Sequence, residues 1–322
     1  MDRRTFVLGA AALASVPGAV LAQNEFTRPV KIIVPAGPGG FTDIAARVAS
    51  QGLTEKTGQS FVVENRGGAG GLIGAVAVKG SAPDGYTLLM GNNNTHAMNS
   101  GLYKSLPYDP IADFVPIAFI GSAPTVLVVP AASPFRTVED LVKAAKKDPG
   151  VRTYASGGVG ASSHLAAELL KQRAGIDVIH VPFKGNSPGV QALLGDQVTF
   201  MFDTLPSSQP LVQAGKLRAL GVTALERVDS LPGVPAVAEA LPGFEVTAWI
   251  ALFAPKGTPT AMVEALDRST AEVLARPTTL AKLQDLGVTP RTRRGAELER
   301  FVAAEIAKWN DVILKAKVPP QE

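Results

Sequence analysis

Residues 30–40 read VKIIVPAGPGG, and this stretch decides the fold. Its first five residues are apolar and mostly β-branched, apart from one lysine, which is typical of a short buried strand. The proline- and glycine-rich segment after it ends the strand, and an apolar pattern with helical spacing then runs from Ile44 to Leu53. The stretch therefore predicts a strand, a loop of small residues and a helix that ends near Gly58.

The same alternation of strand and helix continues along the chain. It predicts further strands at residues 61–64, 86–90, 126–129, 153–155, 178–183, 198–202 and 217–222. It predicts helices just after Gly71 and at residues 138–147, 163–173, 190–194, 259–274, 278–286 and 296–314. Such alternation is typical of an α/β fold with a mostly parallel sheet covered by helices on both faces.

The strands fall into two groups, which favours two lobes. The last third of the chain lacks its own run of strands and is expected to pack back on the first group. We therefore expect lobe 1 to comprise residues 23–122 plus 224–322, and lobe 2 residues 123–223. Two crossings between the lobes create a hinge and a cleft, which is a common place for a ligand.

Composition restricts the possible functions. The chain has 322 residues and no cysteine, so disulfides, thiol catalysis and cysteine-ligated metals are excluded. A net charge of +3, no Lys/Arg run longer than two and 6% aromatic residues argue against a nucleic-acid-binding protein. A small anionic ligand fits this net charge at least as well as a nucleic acid does.

The first 22 residues are expected to be an export signal. Arg3 and Arg4 precede a short apolar run over residues 6–14, which is too short to span a bilayer, and Val20-Leu21-Ala22 fits a signal peptidase site. The paired arginines followed by Phe6 are similar to the twin-arginine export motif. The mature protein is therefore expected in the periplasm, beginning near Gln23.

Two loops have the composition of an anion site. Each follows a strand, after Val34 and after Ala155, and each leads into a helix. Glycines allow the backbone to approach a ligand closely, and the first turn of a helix offers unpaired N–H groups to a carboxylate. Neither loop contains a basic residue. The alternative, ordinary strand-to-helix turns with Ser or Thr caps, stays open at this point.

Several segments together resemble the substrate-binding receptors of tripartite tricarboxylate transporters, the Bug family. The resemblance runs from about Arg28 to about Trp309, and its motifs are residues 34–43, 62–71, 83–88, 106–110, 154–160, 180–185 and 214–220. It implies a two-lobed periplasmic-binding-protein fold with the ligand cleft between lobes. It also implies that the two loops grip one carboxylate and that the ligand passes to a membrane permease of two integral subunits. We further expect a monomer that uses no cofactor and no metal.

The far end of the ligand is then left to other pocket residues, for which His96, Lys184 and Asp203 are candidates. The chain departs from many members of the family at Ala36-Gly37 and at Asp203-Thr204, which leaves the cargo open. The loops and the resemblance together give these candidate ligand-binding residues: Ala36, Gly37, Gly39, Gly40, Thr42, Asp43, His96, Ser156, Gly157, Gly160, Ser162, His164, Lys184 and Asp203.

Short motifs in the chain are compatible with two other kinds of site. Residues 185–189 match Gly-x-Ser-x-Gly, so Ser187 is a candidate hydrolase nucleophile. However, all three histidines precede Ser187, and Pro188 lacks the N–H that would complete an oxyanion hole. His164 and Glu168 lie one helical turn apart and are candidate metal ligands, but the spacing indicates no third ligand.

Overall fold

Nine strands lie in the part of the chain that the computed structural model describes, residues 26–291 and 293–322. The export signal expected over residues 1–22 lies outside these residues. The strands are β1 Val30–Val34, β2 Phe61–Asn65, β3 Thr87–Asn92, β4 Phe114–Pro130, β5 Thr153–Ser156, β6 Ile179–Pro182, β7 Phe200–Thr204, β8 Leu217–Val222 and β9 Thr247–Pro255.

Helices cover the sheet and connect most of its strands. They are α1 Phe41–Thr57, α2 Leu72–Lys79, α3 Asn99–Leu102, α4 Val138–Lys147, α5 Ser162–Ala174, α6 Asn186–Leu194, α7 Leu205–Gln213, α8 Val237–Ala240, α9 Thr260–Leu274, α10 Pro277–Asp285 and α11 Gly295–Lys315. A 3-10 turn at Ala69–Gly71 and a π-helical turn at Asn94–Met98 join them. None of the described helices combines the length and apolar character that crossing a bilayer requires.

The strands pair in the order β2-β1-β3-β9-β4-β7-β5-β6, and β8 pairs with β4. The pairs β1–β2, β1–β3, β5–β6 and β5–β7 are parallel, as expected for strands joined through helices. All pairings made by β4 and β9 are antiparallel. The sheet is therefore mixed, with parallel strands at its two ends and antiparallel strands at its centre.

Strand β4 joins the two halves of the molecule. Its residues 114–124 pair with β9, and from Thr125 onward it pairs with β7 and β8. The sequence predicted only residues 126–129 of this strand. Prolines at 116 and 124 and Gly121 interrupt the apolar pattern of its first half, and the register of the ladder shifts near two of these positions.

Two lobes follow from this arrangement, one around β2-β1-β3-β9 and one around β7-β5-β6 with β8. Their limits in the chain remain a proposal. Leu231 and Ala236 pack in one apolar cluster with Val126 and Val190 of the second lobe, and Ala236 also bridges Val222. We therefore propose that the second crossing lies near residue 246 rather than at residue 223.

The ends of helix α1 are formed by glycines. Gly58 adopts φ 71°, and its N–H closes the helix on the carbonyl of Thr54. Within the helix, Gly52 lies against α9, where a Cβ would come within 2.4 Å of a methyl group of Val273. The two helices can therefore pack this closely only because residue 52 has no side chain.

Replacing Gly52 with alanine is expected to lower the free energy of unfolding by about 1–3 kcal/mol, because the β-branched Val273 must move to admit the new methyl group. Gly80→Ala is the matched control. Gly80 has φ −83°, and a Cβ at this position would make only ordinary contacts. The free energy of unfolding of Gly80→Ala should therefore stay within about 0.5 kcal/mol of the wild-type value. Urea unfolding of both variants measures the difference. Equal stability of the two variants would contradict the close packing of α1 on α9.

Candidate functional site

A cleft of about 870 Å³ lies where the two lobes meet. Loops from both lobes line it, at the carboxyl ends of parallel strands β1, β5 and β6, which is where open α/β sheets usually bind ligands. The wall comprises residues 35–38, 40–42, 67–71, 92–94, 157–159, 161–162, 183–188, 203–204 and 207, with Ala248 and Gln321.

The loop after β1 carries its glycines and the start of α1 into this cleft. Gly39 has φ 79°, and its N–H donates to Oδ2 of Asp43 at 2.9 Å. Asp43 also accepts one hydrogen bond from Nε of Arg47 and one from Asn65, and its Oδ1 lies 3.0 Å from Nη2 of Arg47 in an ion pair. Burial opposes ionisation of this carboxyl, but these donors outweigh it and hold the pKa of Asp43 below its usual value.

The loop after β5 is held in the same manner by side chains behind it. The N–H of Gly157 donates to Oγ of Ser163 at 2.9 Å, and that of Gly160 donates to Nδ1 of His164 at 3.0 Å. Ser156 accepts from Gly158 at 3.1 Å. These glycine N–H groups therefore shape the loop rather than face a ligand.

The first turns of α1 and α5 supply the open donors instead. Their N-cap residues are Gly40 and Ala161, and neither has a side-chain capping bond. The first N–H groups of a helix have no partner within it, so an uncapped start presents them to whatever lies in front. The Ser or Thr caps of the alternative interpretation are thus missing at both loops, and the partial positive ends of two helices point into one cleft.

A chain of hydrogen bonds links the second loop to Asp203. Ser163 donates to Oδ1 of Asn186 at 3.1 Å, and Asn186 donates to Oδ1 of Asp203 at 2.6 Å. Ser208 donates to the other carboxyl oxygen at 2.8 Å. Burial raises the pKa of Asp203, while its hydrogen-bond donors oppose that rise. The carboxyl group is therefore occupied by its neighbours and anchors the wall of the cleft.

The other polar groups of the cleft are mostly neutral. Lys184 is exposed at its edge and is the basic residue among the described lining residues. Across the cleft, Asn93 donates to Oγ of Ser162 at 3.1 Å, and Ser162 donates to Asn94 at 3.0 Å. These bonds connect the first lobe to the start of α5.

His96 lies behind the wall. It is fully buried, its ring stacks on Phe253 at 3.7 Å between centroids, and Nδ1 lies 2.9 Å from Oγ1 of Thr95. Burial lowers its pKa to about 3, so the ring is neutral. His96 therefore has no face on the cleft in this structure.

The structure thus divides the candidate residues into two sets. Eight line the cleft: Ala36, Gly37, Gly40, Thr42, Gly157, Ser162, Lys184 and Asp203. Six lie outside its wall: Gly39, Asp43, His96, Ser156, Gly160 and His164. Direct ligand contact by any of these residues stays a prediction.

Sequence reasoning did not name several lining residues as candidates, above all Asn92–Asn94, Asn186, Ser207 and Gln321. The position of the asparagines directly after β3 was a usable signal, because the carboxyl ends of parallel strands share one edge of the sheet. No comparable signal exists for Gln321, since its place depends on how the end of the chain packs. Its side chain donates to the carbonyl of Val159 at 2.9 Å.

The geometry does not favour the two other kinds of site. Ser187 lies in the first turn of α6, whereas His164 and His180 turn a ring nitrogen toward Gly160 and toward Ser156. No group of three or more His, Asp or Glu side chains within residues 26–291 and 293–322 has the geometry of a metal site.

A family model described as the tripartite tricarboxylate transporter family receptor matches residues 45–318. Among solved structures, the adipate complex of Rpa4515 from R. palustris is 38% identical with a TM-score of 0.88, covering 92% of this chain and 99% of that one. The malate complex of MatC from Rhodopseudomonas palustris is 34% identical with a TM-score of 0.83, covering 89% and 99%.

The periplasmic binding protein BugD is 33% identical with a TM-score of 0.86, covering 92% of this chain and 100% of that one. The residues matched by the family model belong to both lobes. The resemblance noted in the sequence is thereby confirmed, together with the α/β two-lobed fold. The chain belongs to the tripartite tricarboxylate transporter receptor family, the Bug group of periplasmic solute-binding proteins.

Proposed function

We propose that this protein captures a small dicarboxylate in the cleft and delivers it, as a monomer in the periplasm, to a membrane permease of two integral subunits. The observation that best supports this proposal is that two helix starts without side-chain caps, at Gly40 and Ala161, face one cleft from opposite lobes. One carboxylate between them would accept hydrogen bonds from both first turns, and so its binding would draw the lobes together.

Net charge in the cleft supports an anion as the guest. Arg47 neutralises Asp43 through a bidentate pair, and Asp203 is surrounded by hydrogen-bond donors. The cleft-lining groups that remain available to a ligand are backbone donors, amide and hydroxyl groups, and the ammonium group of Lys184. A carboxylate needs donors of this kind, and ordered water can complete its shell.

A second carboxylate group on the ligand is supported by two observations. The structurally similar proteins Rpa4515 and MatC bind adipate and malate, which both carry two carboxylates. In this chain, the exposed Lys184 is among the residues that line the cleft. We propose that the ammonium group of Lys184 pairs with the second carboxylate.

The hydrolase alternative has no support in the geometry, and the family to which the chain belongs consists of receptors. Ser187 is retained only as the control in the experiment below. Delivery to a permease rests on the family, and the export step rests on residues 1–22.

Thermal unfolding with a panel of mono-, di- and tricarboxylates tests the proposed function. A ligand bound only by the folded state stabilises it by about 2.7 kcal/mol at a hundredfold excess over the dissociation constant, so the melting temperature should rise by several degrees. The Ser187→Ala variant should still be stabilised by the same carboxylates, because binding needs no nucleophile. Absence of any shift across the panel, or ester hydrolysis that disappears in Ser187→Ala, would overturn the receptor proposal.

Lys184→Gln tests the second carboxylate. Loss of one charge-assisted hydrogen bond at a partly exposed position should weaken binding of a six-carbon dicarboxylate about tenfold. Hexanoate, which has one carboxylate on a chain of the same length, should bind Lys184→Gln and wild type within about twofold. Lys216→Gln, an exposed lysine away from the cleft, is the control for net charge. Calorimetric titration of each of the three proteins with both ligands measures the six combinations. An equal effect of Lys184→Gln on both ligands would rule out a pairing with the second carboxylate.

A further inference from the structure

Two helices in different lobes begin with the same arrangement. In α1, Gly39 stands just before the N-cap with φ 79°, and its N–H donates to the side chain of Asp43, four residues later. In α5, Gly160 stands just before the N-cap with φ 79°, and its N–H donates to the side chain of His164, again four residues later. In both helices the side chain at the third helical position therefore accepts from the residue before the N-cap, one residue earlier than in a capping box, and the N-cap residue itself makes no side-chain capping bond.

We propose that Asp43 and His164 are matched positioning residues, which hold the two anion-binding loops so that the helix starts beyond them stay open to the ligand. The inference rests on the proposed function, because it concerns how the carboxylate grip is held. Neither side chain lines the cleft. Each occupies the N–H of the preceding glycine from behind, at 2.9 and 3.0 Å. The left-handed glycine that turns each loop toward the cleft is thereby fixed.

The residue four positions further along each helix complements the positioning residue. Arg47 follows Asp43 and forms a bidentate pair with it. Glu168 follows His164, with its Oε1 3.9 Å from Nε2 of the ring. The first lobe thus combines an anionic acceptor with a cation, and the second combines a neutral acceptor with an anion. A carboxylate at position 164 would face Glu168 and the bound anion, so a neutral imidazole is the acceptor that suits this loop.

The tautomer of His164 follows from its hydrogen bond. A backbone N–H only donates, so Nδ1 must carry the lone pair, and the proton of the neutral ring lies on Nε2, on the side of Glu168. His180 from β6 stacks on this ring at 4.1 Å, and Tyr154 from β5 stacks on His180 at 4.9 Å. Burial, and then the charge of Lys171, lowers the pKa of His164 to about 4, so the acceptor is present at neutral pH.

The loop held by His164 also contacts the first lobe. The carbonyl of Gly160 accepts from Asn94 at 3.4 Å, and the carbonyl of Val159 accepts from Gln321 at 2.9 Å. If this loop moved, the protein would therefore lose both the N–H groups proposed to bind the ligand and these contacts between the lobes. For this reason, loss of the acceptor should reduce ligand affinity more than it reduces the stability of the fold.

Two substitutions at residue 164 separate the acceptor from the bulk of the ring. His164→Asn keeps an acceptor close to the place of Nδ1, whereas His164→Leu keeps the volume and removes the acceptor. With a six-carbon dicarboxylate as the probe, calorimetry should give at least tenfold weaker binding for the leucine variant. The asparagine variant should recover affinity to within about threefold of wild type. Leu170→Ala, a buried change on the same helix away from the loop, should destabilise the fold and leave affinity unchanged.

Amide hydrogen exchange at Gly160 gives a readout that needs no ligand. Its N–H should be protected in wild type and in His164→Asn, and should exchange much faster in His164→Leu. Wild-type affinity or retained Gly160 protection in the leucine variant would overturn the proposal, as would equal losses of affinity in the leucine and asparagine variants. If no carboxylate binds the wild-type protein, the proposed function fails, and the exchange pattern still decides whether His164 holds the loop.

Discussion

The starts of α1 and α5 carry no side-chain cap, and most features of the cleft depend on this. A Ser, Thr, Asp or Asn at the N-cap typically stabilises a helix by about 1 kcal/mol. The chain places Gly40 and Ala161 there instead, which leaves backbone donors at two helix starts facing a shared cavity. Local stability is lower at these positions than it would be with capping residues, as is common where a protein keeps groups available for binding.

Side chains behind the loops provide the hydrogen bonds that the missing caps do not. Asp43 and His164 bind glycine N–H groups, and Ser163 is linked through Asn186 to the buried Asp203. This explains why a site for an anion is built with carboxylates close by: each carboxylate is engaged by hydrogen-bond donors of the protein. The donors toward the ligand are then fixed before it arrives, which limits the entropy lost on binding.

Those parts of the fold with strong local signals were predictable from the sequence. The predicted bounds of α4 and β8 were correct, because a capping box begins α4 and a short, mostly apolar run defines β8. The first half of β4 was missed because prolines within a run argue against a strand. The pairing with β9 that makes this segment a strand is not visible in the sequence. Helix α7 was missed because Pro206 and Pro210 obscure its pattern, although the first lies where a helix accepts proline.

For the site, the two loops were found because glycine-rich turns between strand and helix are visible in the sequence. The sequence did not show which candidate side chains face the cleft, because that depends on how each helix is rotated against the sheet. His96 lies in the π-helical turn after β3, is fully buried and stacks on Phe253, while the neighbouring Asn92–Asn94 line the cavity. The arrangement of each loop, the helix start that follows it and the side-chain acceptor behind it likewise depends on tertiary packing.

A crystal structure with a bound six-carbon dicarboxylate tests the central claim most directly. We expect one carboxylate within about 3 Å of backbone N–H groups in the first turns of both α1 and α5, as is usual for such hydrogen bonds. A ligand bound to only one lobe, or held by Lys184 with both helix starts facing bulk water, would contradict the account.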